Sequence, residues 1–306
     1  MTDILHHLSN ALPLSPLATH IGITCLFAQL TFTLLFHKRT KILPEGPWTH
    51  LPAFTAHQLV ALPLMILLTY IGFRDWFFDP NKDPEGATSA DRIFGSDRYP
   101  NDPNNIPLAV GTGAILLWDI PLGFLSKPLR DPIMWGHHVG MFMVAATMTG
   151  MFCAGGDMIG HYYASFYFGI IELSGVFLTY VDVFHPKYKY FKAWLDAEHS
   201  NKQMMSLKSA LNSANELARV LFAVSFLILR GIYFPYVSFF HAIPDLIVAF
   251  KNPPEGVPMW TGYFLMGMIS SFAILQAYWG LFVGQQVKKT LFGGEKDEKK
   301  SGKKKK

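Results

Sequence analysis

Residues 107–125 read Pro-Leu-Ala-Val-Gly-Thr-Gly-Ala-Ile-Leu-Leu-Trp-Asp-Ile-Pro-Leu-Gly-Phe-Leu, an apolar run with one ionisable side chain, Asp119. Wound as a helix at about 1.5 Å per residue, such a run is long enough to cross a ~30 Å hydrocarbon core. A transmembrane β-strand would need about half the length and would alternate apolar with polar residues, which this run does not. Comparable runs recur at about 17–36, 52–73, 133–153, 158–184, 215–235 and 259–284. The fold class expected is therefore all-α: a polytopic transmembrane helical bundle of about seven spans. Segment 236–250 is also apolar but is broken by Pro235 and Pro244, so it reads as an extra half-span or an interfacial helix.

The average composition decides little, because half-hydrophobic chains are common among soluble domains too. The distribution into long runs decides. The net charge of +4 comes largely from the tail Gly293–Lys306. No basic patch interleaved with aromatics points to nucleic acid. The two cysteines, Cys25 and Cys153, lie in apolar runs and form neither a CxxC pair nor a disulfide framework. The N-terminus shows no basic leader region, so the first run is expected to stay as a span.

Lys and Arg in the short loops suggest an orientation. Lys38, Arg39 and Lys41 follow the first run, Lys127 and Arg130 the third, Lys187, Lys189, Lys192, Lys202 and Lys208 the fifth, and the lysine tail the last. With seven spans all four fall on one side, the cytosol, and residues 1–16 are lumenal. The Asp-rich loop 74–106 is then lumenal too. This divides the chain into a short N-terminus (1–16), a transmembrane domain (17–290) and a basic cytosolic tail (291–306). Lys303 and Lys304, fourth and third from the end, resemble the dilysine signal that returns membrane proteins to the endoplasmic reticulum; attraction to anionic lipid is the plainer reading of a polybasic tail.

Ionisable side chains inside a span are costly and are usually paired or functional. Here they are Asp119, His137, His138, Asp157, His161, Glu172, Asp182, Arg219 and Arg230. A neutral imidazole at His137 or His138 could serve as general base or carry an acyl group; two headgroup-solvated histidines are the bland alternative. Adjacent helical residues point about 100° apart, so only one of the pair is expected to face the interior. Asp119, two residues before Pro121, could pair with either ring and orient it, or make a structural hydrogen bond. Asp157 and His161, at i and i+4, would share a helix face if the fifth span starts there. No HxxxH or ExxH motif accompanies them, so no metal is expected. Glu172, mid-span and followed by Ser174, must face protein or a cavity, with Arg219, Arg230 or the histidines as partners. Arg230 could instead snorkel. Met141 belongs to a Met-rich stretch that suits either ordinary core or a flexible lipid chain.

Together several stretches resemble a family. Gly113–Asp119, Trp135-Gly136-His137-His138-Val139, Glu172-Leu173-Ser174, Asn215-Glu216 with Phe226 and Arg230, and Leu275–Trp279 are similar to the TLC-domain proteins, which include the ceramide synthases. The likeness covers roughly residues 20–290, in order and spacing more than in any single motif. The HD-x-x-D stretch that follows the His pair in ceramide synthases is absent; Asp157 stands without it. The resemblance implies a lipid-binding membrane protein acting in membrane lipid homeostasis or trafficking. An alternative is an acyltransferase with acyl-CoA as co-substrate and His137, His138 and Asp119 as its catalytic set. A third is an accessory subunit with membrane-protein partners. Glu172, Ser174, Asp157, His161, Arg230 and Met141 are the candidate lipid-binding residues, with membrane lipids or fatty acyl chains as ligands and no cofactor.

Overall fold

The structure, a computed structural model, describes residues 14–42, 46–79, 85–97, 100–102, 104–184, 189–196 and 202–292. The first residues, Asp83, Lys187 and the lysine tail lie outside the described residues. The described chain is helical: α1 (Pro16–Phe36), α2 (Pro52–Phe78), α3 (Ser89–Phe94), α4 (Ile106–Leu125), α5 (Pro132–Met148), α6 (His161–Val183), α7 (Lys189–Asp196), α8 (Lys202–Ser225, continuing to Ala249) and α9 (Met259–Phe292). No strand occurs among the described residues. Six helices, α1, α2, α4, α6, α8 and α9, are long and apolar enough to span a bilayer. Many of their large apolar side chains face outward, among them Phe27 at 71%, Ile232 at 70% and Ile274 at 71% exposure. Such a surface is costly in water and ordinary in lipid. The protein is a polytopic helical membrane protein.

Three prolines set the local geometry of two of these helices, Pro121 in α4 and Pro235 and Pro244 in α8. A proline lacks the N–H for the i→i−4 bond, and its ring crowds the carbonyl of residue i−4. In each case the residue before the proline donates five residues back instead: Ile120 to Ile115, Phe234 to Leu229, and Ile243 to Ser238. The preceding segments Val110–Asp119, Phe226–Tyr233 and Ser238–Ala242 are accordingly wound as wider π-helix. Segment 236–250 is thus neither a separate half-span nor a surface helix; it continues α8 to Ala249.

Two further expectations are corrected. The fourth run was expected to reach residue 153, but α5 ends at Met148 after 17 residues, short of the other spanning helices. Gly150, at φ +76, turns the chain there; a Cβ would sit 2.5 Å from the carbonyl oxygens of Gly156 and Asp157. The acidic segment 74–106 is not all loop. Its start extends α2 to Phe78, and α3 forms behind a capping box of Thr88 and Asp91. Arg92 on α3 grips Asp245 on α8 through Nε (2.6 Å) and Nη2 (2.9 Å). Ser89 and Tyr163 also donate to Asp245.

Glycines allow the tightest crossings. A Cβ at Gly113 of α4 would lie 1.8 Å from the backbone oxygen of Ala18 in α1, and one at Gly22 would lie 2.3 Å from the Gly113 oxygen. The largest core cluster, including Met141, Val144, Phe166, Tyr167, Leu246 and Phe272, lies among α5, α6, α8 and α9.

Candidate functional site

Asp119 is the last residue of the π-wound segment in α4. Its carboxylate meets two imidazoles: His57 Nε2 from α2 at 3.0 Å, and His138 Nδ1 from α5. A carboxylate only accepts, so each ring nitrogen facing it carries a hydrogen; on a neutral ring the opposite nitrogen is then a bare acceptor. The His57 ring stacks on Trp118 at 4.8 Å. Trp118 Nε1 donates to Gln29 Oε1 (3.2 Å), and Gln29 Nε2 donates to the Ala53 carbonyl (2.9 Å). One polar chain therefore ties α1, α2, α4 and α5 together.

Both histidines of the pair are packed against neighbours, not one. Their roughly 100° separation points them to two different helices, because α5 contacts both α4 and α9. His138 turns to Asp119. His137 turns to α9, edge-on to Phe272 (5.3 Å) and Trp279 (5.5 Å). His137 lines a cavity of about 10 Å³ with Met141, Tyr167, Ile171, Phe272 and Gln276. That volume holds one water-sized group and no alkyl tail. On the outer side, His137 and Phe272 also line an open groove of about 500 Å³ between α5 and α9, with Ile133, Gly136, Met268 and Ser271. The groove is within the size range of small-molecule sites.

Glu172 lies in a 3₁₀ turn where α6 is interrupted. The interruption coincides with a close crossing, since a Cβ at Gly169 would sit 2.7 Å from Gly72 Cα in α2. Arg230, buried in α8, places Nη2 3.6 Å from Glu172 Oε1. Its Nε donates to Ser174 Oγ (2.8 Å) and to the Ile171 carbonyl (3.2 Å). Arg230 therefore does not snorkel. Arg219 is exposed beside Glu216 instead.

Asp157 and His161 belong elsewhere. Gly156 (φ +71) and Gly160 (φ +68) bend the chain, so Asp157 is an exposed loop residue and the pair shares no helix face. Both follow the C-terminal end of α5, about 15 Å along the helix from His138. His161 Nε2 meets Asn105 Nδ2 at 3.0 Å. Among the described residues no three His, Cys, Asp or Glu side chains group as a metal site.

Sequence reading missed His57, although it is the one ionisable side chain in the apolar run 52–73 and the rule that singled out Asp119 applies to it. Gln29 and Gln276 were missed because neutral amides carry no comparable warning. Asp245 was missed inside a segment read as peripheral.

The fold and the site are those of a helical membrane bundle in which α2, α4 and α5 meet at a partly buried carboxylate–histidine cluster. The family model of the TLC domain matches residues 96–283, most of the chain, and the chain belongs to that family. The match takes in Asp119, both histidines, Glu172 and Arg230; His57 lies before it. No curated protein and no solved structure matched the chain.

Proposed function

We propose that this protein binds membrane lipid or acyl chains through the α5–α9 groove and serves lipid homeostasis or trafficking in the endoplasmic reticulum. One observation carries the reading: His137 lines both the outward groove and the inner cavity. An alkyl chain lying in the groove would bring its polar end to a buried imidazole. Family membership supports a membrane setting, and the lysine tail supports the compartment. A second reading, acyl transfer from acyl-CoA, is favoured by the His138 geometry. With Nδ1 on Asp119, Nε2 is left as the basic nitrogen, the arrangement that makes a histidine a general base.

Gly136 offers a clean test, because a Cβ there meets nothing within 4 Å. Gly136→Phe projects a ring into the groove and removes a helical glycine, which costs no stability in itself. Mass spectrometry of the purified, extensively washed protein should show lipid retention reduced severalfold at an unchanged melting temperature. Equal lipid in both proteins contradicts the reading.

A further inference from the structure

Two residues that line the small cavity each carry a buried polar atom without a partner. Gln276, 1% exposed, has no donor to its Oε1, and His137 Nδ1 has no hydrogen-bond partner. A buried acceptor left unmet is expensive, and native proteins rarely leave one so. The amide oxygen can only accept, whereas an imidazole nitrogen donates or accepts according to tautomer. The cavity that both side chains line is about 10 Å³, room for one oxygen-sized group. Apolar residues make up the rest of the lining, Phe272 among them, and Phe272 with His137 forms the partition to the groove.

We infer that this site recognises a lipid with a terminal hydroxyl, its alkyl chain in the α5–α9 groove and its O–H donated to Gln276 Oε1 while the same oxygen accepts from His137 Nδ1. A hydroxyl satisfies both atoms at once. A carboxylate cannot donate to the amide oxygen, and an ammonium would carry a charge with no counter-charge into an apolar lining. An ester or ether oxygen accepts from His137 but leaves Gln276 unmet. The Phe272 ring must turn aside for the hydroxyl to pass from groove to cavity. The inference rests on the lipid-binding reading of the groove and adds the chemical class of the polar end.

The test uses the full chain in detergent carrying a pyrene-labelled alkane as reporter. 1-Hexadecanol and 1-fluorohexadecane compete for it, close in size and differing in the ability to donate. The alcohol should displace the reporter at about one-tenth the concentration of the fluoride, the ratio expected for one hydrogen bond. In Gln276→Leu, and in the length-matched Gln276→Met, that ratio should move severalfold toward one with the fluoride curve unmoved. Equal displacement by both compounds in the unsubstituted protein overturns the hydroxyl inference and leaves a cavity that takes water only. A reporter that fails to bind, or that neither compound displaces, overturns instead the groove reading beneath it.

Discussion

Replacing Asp119 by Asn keeps its volume and shape and removes its charge. In the structure the carboxylate receives hydrogen bonds from two rings, His57 at 3.0 Å and His138. Hydrogen bonds to a charged group contribute about 1.5–3 kcal/mol each. An amide oxygen can keep one of them, while its NH₂ faces the second ring, which must change tautomer to accept from it. Two charge-assisted bonds become neutral ones, for an expected loss of about 1.5–3 kcal/mol. His57→Phe preserves the stack on Trp118 and deletes only the donor, for an expected loss of about 1–2 kcal/mol. If the three side chains act as one unit, the double variant should lose about 1–2 kcal/mol less than the sum of the singles, the coupling usual for groups in one network. Unfolding in mixed micelles by SDS titration, followed by tryptophan fluorescence, reports this well because Trp118 lies against His57. An Asp119→Asn protein within about 0.5 kcal/mol of wild type, or strictly additive losses, would refute the view that this carboxylate organises the bundle.

Two more outcomes follow from the packing. Gly113→Leu must push α1 away from α4, since its first added carbon would lie 1.8 Å from the Ala18 oxygen; a loss of about 3 kcal/mol or more is expected in the same titration, whereas Gly136→Leu, with open space around it, should lose nothing. Arg92→Ala removes the bidentate partner of Asp245, so backbone amides of Ser89–Phe94 should exchange at least tenfold faster while those of α4 keep their protection.

The spans were legible because lipid allows only a long apolar helix to cross, and the chain writes that directly into runs such as 107–125. Asp119 and Glu172 were legible for the same reason in reverse, as charges where lipid forbids them. What escaped was set by partners distant in sequence. Nothing local shows that α5 lies between α4 and α9, so nothing local shows that His137 and His138 each find a different neighbour. The Asp157–His161 spacing misled because a periodicity argument assumes a helix, and two glycines at positive φ withhold it. The prolines of α8 read as interruptions, yet widened turns absorb them and the helix continues. Glu172 was expected to face protein or a cavity; it faces Arg230, a partner 58 residues away that no local pattern selects among the alternatives.

Photolabelling would probe that groove most directly. A long-chain alcohol bearing a diazirine near its middle, incorporated with the protein into nanodiscs and irradiated, leaves covalent marks that peptide mass spectrometry can map. The marks should concentrate on segments 133–137 and 268–278, the two walls of the groove. Labelling spread evenly over the outward apolar residues of other helices, such as Phe27, Leu34, Val224 and Ile232, would mean that lipid meets this protein only as a solvent.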